Sequence, residues 1–280
     1  MTTVNGPVDE VGRWALCKLS FLRNYLGAYT TIMKEQNRWC RGYHYVDANA
    51  GSGRPKLRDE EVYIDGSPRV ALSITHPFTS YTFIDLVPWR LQRLEALRGE
   101  FPKASIRIVQ GDCNTILVRD ITSRITRDNY HRAVIFLDPF RMNLEWSTVE
   151  AIAGTRAIEI FVNVPTMAIN REALLNDPTK ITPEKIACMN RFWGSENWRE
   201  SIYEEVPTLF DEIIERKICK TTWKRLGTLY RERLASVFPF VTAPVPVYNT
   251  AGQPIYCLVF AGPNGTGRKI ATDLMRKMAQ

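Results

Sequence analysis

Between residues 43 and 164 the chain repeats one pattern five times: a short apolar run, a turn, then residues at helical spacing. The runs are YHYVDANA (43–50), SYTFID (80–85), SIRIVQ (105–110), AVIFLD (133–138) and AIEIFVNV (157–164). Short, mostly apolar runs fit strands buried on both faces, and strands alternating with helices pair in parallel through crossover connections. Local signals mark the helix starts. Ser67-Pro68 places an N-cap ahead of a first-turn proline. Pro88 opens a helix to about Phe101, a further helix follows Asp112, and Ser147 with Glu150 has the form of a capping box. Before the first run, Leu16, Leu19, Leu22, Leu26 and Tyr29 predict a helix from Trp14 to about Glu35.

The pattern changes after Pro165. Residues 166–200, rich in Asn, Pro, Trp and charge, predict an inserted helical or irregular lid, and 208–237 a long amphipathic helix. Residues 246–262 predict two strands around a turn, a hairpin instead of another β-α-β unit. The expected class is therefore α/β: a doubly wound, mostly parallel, seven-stranded Rossmann-like sheet with a C-terminal antiparallel hairpin and a helical insertion. The chain is expected to form a single domain. Its segments are an N-terminal helical part (1–36), a core (37–165), the insertion (166–240) and the closing hairpin and helix (241–280). This plan is the usual one of the class I methyltransferase fold, whereas a dinucleotide dehydrogenase would continue with further parallel units.

Bulk properties narrow the setting. With 280 residues, 45% hydrophobic and 24% charged, the chain can bury a full core. No apolar run approaches the roughly 20 residues that span a bilayer. The opening MTTVNGPVDEVGR lacks the basic start and apolar stretch of a secretory signal, so a cytoplasmic location and no membrane partner are expected. Cys17, Cys40, Cys113, Cys188, Cys219 and Cys257 form no CxxC pair, and His44, His76 and His131 are dispersed, so no metal is expected. The net charge of +7 leaves nucleic acid or an acidic partner protein open.

Ligands of such sheets bind at the carboxyl ends of the strands. The first run ends in Asp47-Ala48-Asn49-Ala50-Gly51-Ser52-Gly53, where Gly51 and Gly53 let the backbone approach a ligand closely. An acidic residue here suits a cationic methionine amino group better than a pyrophosphate. The third glycine of the dinucleotide fingerprint is missing, which disfavours a nicotinamide dehydrogenase. Asp85, followed by Leu86, ends the second run, where a carboxylate can accept from ribose hydroxyls. Asp112 ends the third and can accept from the adenine amine, with the Cys113 amide facing a ring nitrogen; helix capping is the alternative for both aspartates. The fourth ends in Asp138-Pro139-Phe140, near the (Asp or Asn)-Pro-Pro-(Tyr or Phe) pattern of amino-methyltransferases but one proline short. In that pattern the first side chain accepts from the target amine and the ring stacks on the base.

At these four strand ends the chain resembles the three-Cys-motif partner proteins (TcmP), a bacterial family with a methyltransferase-like fold. The resemblance lies in YVDANAGSG (45–53), GSPRVAL (66–72), GDCN (111–114), FLDPF (136–140) and the helix at 18–26, and covers residues 14–165 well. Asn49 replaces the usual Phe, altering packing under the cofactor loop. Arg141 stands where Gly is common, altering substrate contact. The resemblance implies S-adenosylmethionine as cofactor and leaves the acceptor open. The expected cofactor set is Lys18, Asp47, Ala48, Gly51, Ser52, Gly53, Asp85, Leu86, Asp112, Cys113 and Asp138, with Asp138 and Phe140 catalytic. The alternative is a non-catalytic binding module that recruits nucleic acid or a partner enzyme, using the basic stretch 215–233. Trp193, Trp198 and Tyr203 offer either stacking surface or packing within the insertion.

Overall fold

The computed structural model describes residues 7–58, 60–175, 180–207, 214–218 and 222–278. Strand β1 (Glu10–Val11) leads into helix α1 (Trp14–Glu35), which buries Leu19, Leu22, Leu26 and Tyr29 and leaves Leu16 exposed. β2 (Gly42–Asp47) follows, then β3 (Lys56–Leu57), which pairs in parallel with β1. Next come α2 (Ser67–Leu72), β4 (Ser80–Asp85), α3 (Pro88–Glu100) and β5 (Ile106–Gln110). After α4 (Cys113–Ile116) and a π-helical turn at Leu117–Thr122 the chain continues through β6 (His131–Leu137), α5 (Trp146–Gly154) and β7 (Ile158–Val164).

The insertion holds α6 (Thr166–Glu172), α7 (Pro183–Trp193), α8 (Trp198–Ile202), β8 (Tyr203–Pro207), β9 (Ile214–Ile218) and α9 (Thr222–Val237). The single long helix expected over 208–237 is thus corrected: β9 pairs antiparallel with β8, and among the described residues of that range only α9 is helical. The IERKI segment opens and closes on β-branched isoleucines, which favour strand. Residues 208–213 and 219–221 of that expected helix, Lys220 included, lie outside the described residues. Trp193, Trp198 and Tyr203 are buried, so the packing alternative describes them. The chain closes with β10 (Phe240–Val241), β11 (Val245–Tyr248), β12 (Pro254–Gly262) and α10 (Gly265–Met278).

Two caps differ from expectation. α5 begins at Trp146 after Glu145, without a side-chain cap, and Glu150 instead accepts from the Trp146 indole at 2.8 Å. α2 is capped by Gly66, which leaves the Ser67 hydroxyl free to turn toward Asp47.

The main sheet has eight strands in the order β10-β12-β7-β6-β2-β4-β5, with β11 also paired to β12, so β10 and β11 share one edge. β2, β4, β5, β6 and β7 are parallel and β12 runs against them, giving the expected mostly parallel sheet with its antiparallel closing pair. The chain winds outward from β2 in one direction and from β6 in the other, so strand order reverses between these neighbours. That reversal opens a cleft at their carboxyl ends. Side chains alternate across the sheet. Tyr45, Phe83, Phe136, Phe161 and Phe260 face α1, α3 and α10, while Val46, Ile84, Leu137, Ile160 and Val162 face α5 and the insertion. Among the described residues no helix is long and apolar enough to cross a membrane.

Candidate functional site

Asp47 sits at the carboxyl end of β2 and is completely buried. The Tyr45 hydroxyl donates to its Oδ2 at 3.1 Å, while Oδ1 is buried with no hydrogen-bond partner among the described residues. Burial pushes the carboxyl up to about 7; the Ser67 and Tyr45 hydroxyls and Lys18 pull against this, and the Asp138 charge adds to it.

Beyond Asp47 the chain turns sharply. Gly51 and Gly53 have φ of +65° and +76°, a conformation that side chains with a Cβ adopt only at a cost. A Cβ on Gly66 would meet the Gly53 carbonyl at 3.1 Å, and the Gly66 amide bonds that same oxygen at 3.0 Å, so a side chain there would press the two turns apart by a few tenths of an ångström. The loop is held from both sides. Asp85 Oδ2 accepts from the Gly51 amide and Oδ1 from the Val87 amide, both at 2.9 Å. Asp9, carried in by the β1–β3 pair, accepts from the Ser52 amide at 2.8 Å and pairs with Arg90.

Asp138 follows β6. Asn163 Nδ2 donates to its Oδ1 at 2.7 Å, and Lys18 donates to Oδ2 in a partly buried ion pair. The Lys18 ammonium also lies 5.5 Å from the Phe136 ring centre and 5.6 Å from those of Trp14 and Tyr256. Lys18 is therefore not a solvated lysine, since the helix face that buries Leu19 and Leu22 buries it too. Near it, Asn163 Oδ1 and the Tyr256 hydroxyl are buried without partners among the described residues. Phe140 is 72% exposed, and the Arg141 guanidinium covers its ring at 5.1 Å while pairing with Glu172.

These groups surround a cavity of about 320 Å³ at the β2–β6 reversal. Of the expected residues, Lys18, Gly51, Ser52, Gly53, Asp138 and Phe140 line it. Asp47 and Ala48 are buried next to this lining, and Asp85 supports it through the Gly51 amide. Leu86 is exposed beside Asp85. Asp112 and Cys113 lie outside the cavity. The Asp112 carboxylate caps α4 through the Thr115 amide at 2.9 Å, and Cys113 packs in the core, where burial pushes its thiol up to about 12.

Sequence reasoning missed Asn163, Tyr256, Asp9 and Arg90. Asn163 carried a signal, as one of only two polar residues in the run 157–164. The other three reach the site through long-range packing.

No protein-family model matches the chain, and no curated protein matches it. Among solved structures the chain is similar to the Legionella pneumophila protein LPL1258, at 13% identity and a TM-score of 0.41, over 78% of this chain and 92% of that one. It is also similar to the N-terminal domain of EvdMO1, a structure with SAH bound, at 9% identity and a TM-score of 0.39, over 85% and 81% of the two chains. An rRNA methylase from Streptococcus thermophilus matches at 9% identity and a TM-score of 0.36, over 86% and 94%.

Proposed function

We propose that the chain is an S-adenosylmethionine-dependent methyltransferase that holds its cofactor at the β2–β6 reversal. The observation that carries this reading is Asp47 Oδ1, a buried acceptor without a partner at the strand end, beside two glycines of positive φ. An unsatisfied buried acceptor costs about 1–3 kcal/mol, and a ligand that brings a donor removes that cost. A cationic amino group does so and also favours the ionised carboxylate.

In this reading Asp47, Gly51, Ser52 and Gly53 hold the amino-acid part of the cofactor. Ala48, Asp85 and Leu86 border its nucleoside; the Asp85 oxygens keep lone pairs beyond those used by the two amides. Asp112 and Cys113 are left out of the cradle. The bound cofactor supplies an electrophilic methyl group on a sulfonium.

The remaining chemistry belongs to the chain. Asp138 accepts a hydrogen bond from an N–H of the acceptor and so aims the nitrogen lone pair, an orientation effect. Lys18 and Asn163 fix the Asp138 carboxylate from behind. The exposed Phe140 ring offers a stacking face, which favours a planar amine-bearing acceptor, nucleic-acid bases among them. Membership of the three-Cys-motif partner family is part of the same proposal and rests on the motifs alone.

Calorimetric titration with S-adenosylmethionine and its demethylated product tests the reading. Binding that is lost in Asp47→Ala is expected; no binding by the intact chain overturns it. Binding without transfer to any acceptor would leave the recruitment module.

A further inference from the structure

At the opposite end of the sheet, where the parallel strands begin, a second and larger cavity of about 860 Å³ opens. Arg127 and Arg156 line it from the turns that lead into β6 and β7, Arg132 from the start of β6, and Trp39 and Phe240 from the loop after α1 and from β10. Among the described residues none of these arginines has a carboxylate partner: Arg132 donates to the His131 carbonyl, and no ion pair engages Arg127 or Arg156. The one acidic lining residue, Glu150, accepts from the Trp146 indole.

The aromatics on this rim are covered by cations. Arg132 lies 4.8 Å over the Trp39 ring, Arg268 lies 5.4 Å over Phe240, and nearby Arg41 lies 5.7 Å over Tyr130. Trp39 and Tyr130 are themselves 39% and 48% exposed. Unpaired guanidinium groups alternating with exposed rings provide both things a single-stranded polynucleotide offers to bind, phosphates for the cations and base faces for the rings. The N-terminus of α10 also borders the cavity, but Asn264 already caps it through the Thr266 amide, so the arginines and rings carry the argument.

We infer that this rim is a binding surface for single-stranded nucleic acid. It stands apart from the proposed methyl-transfer site: β6, seven residues long, separates the two ends by about 20 Å. It therefore does not depend on the cofactor reading. A polynucleotide is favoured over a mononucleotide because three aromatic–arginine pairs are spread along one rim.

The test is fluorescence anisotropy with labelled 12-nucleotide oligo-U and oligo-dT, which separates ribose from deoxyribose preference. The intact chain should bind at least one of them, with affinity falling as salt rises. Arg127→Glu/Arg156→Glu should weaken binding at least tenfold. Trp39→Ala should weaken it roughly fivefold or more while leaving the salt dependence unchanged. These side chains are exposed, and unchanged circular dichroism and cofactor binding in each variant would show that the fold is intact. Absence of binding at low salt, or binding unaffected by the double charge reversal, overturns the inference. So does equal binding of heparin that, like the oligonucleotide, ignores Trp39→Ala.

Discussion

The two ends of the main sheet differ in both charge and construction. At the carboxyl ends Asp47, Asp85, Asp112 and Asp138 close four successive runs, and each carboxylate is buried or hydrogen-bonded. At the amino ends the charged groups are Arg41, Arg127, Arg132 and Arg156, and no carboxylate among the described residues pairs with them. Buried, geometrically fixed acceptors suit a small ligand whose donors match them one by one. Exposed, mobile cations suit a large polyanion recognised by charge density. One set of parallel strands thus presents two kinds of charged surface, separated by strand length.

The largest expected effect lies at the acidic end. Asp138→Ala should lower methyl transfer at least a hundredfold while cofactor affinity stays within a few-fold, measured by single-turnover assay and calorimetry. A parallel loss of affinity would mean that Asp138 holds cofactor instead of acceptor.

Next is the dependence on pH. Asp47 is held near 7 in the folded chain, well above an ordinary aspartate, so near pH 6 it is mostly protonated and must release a proton to meet a cationic ligand. Cofactor affinity should therefore rise up to tenfold per pH unit toward pH 7 and level off above it. Asp47→Asn should abolish that slope. The sign for stability is the opposite. From about pH 4 to 7 the unfolded chain gives up this proton while the folded chain keeps it, so stability falls as pH rises and then levels off. Glu159, also raised to about 7 by burial, acts in the same direction, and Glu159→Gln should flatten part of the fall in a urea-melt series.

Lys18→Met probes packing at the same end. Removing the cation leaves Asp138 with Asn163 as its one remaining side-chain partner among the described residues. Because Asp138 is about one-third exposed, a cost near the lower end of the buried-pair range, about 3 kcal/mol, is expected by denaturant unfolding. The smallest effect separates the two ends by salt. Raising potassium chloride from 50 to 200 mM should change cofactor affinity less than twofold, while oligonucleotide affinity at the arginine rim falls by far more. Equal salt dependence at both sites would dissolve the contrast.

Much of the acidic end was readable from the chain because a strand's last residue is fixed by where its apolar run stops. Asp47, Asp85 and Asp138 fall at or directly after such ends, and Gly51 and Gly53 mark the turn. Asp112 shows the limit, because a strand-end aspartate two residues before Asn114 and three before Thr115 serves equally as a cap, and this one does cap α4. Tyr256 and Asn163 reach Asp138 through the β12–β7–β6 pairing, which no local pattern reports. The arginine rim was not readable at all. Its members are scattered through separate turns and become neighbours only when the strands align in register. The sequence pointed instead to the basic stretch at 215–233, whose described residues divide between a strand and a helix.

The Asp9 contact has a kinetic consequence. Its carboxylate already holds the Ser52 amide and is tied to Arg90, so the glycine loop is clasped from above by a segment held through the two-residue β1–β3 pairing and a hydrogen bond from Arg93 to the Pro7 carbonyl. A ligand that needs that amide has to wait for the clasp to open. The entry rate at the loop then follows the opening frequency of a short N-terminal strap, and Asp9→Ala should accelerate association in stopped-flow measurements and tighten equilibrium binding, with the release rate nearly unchanged.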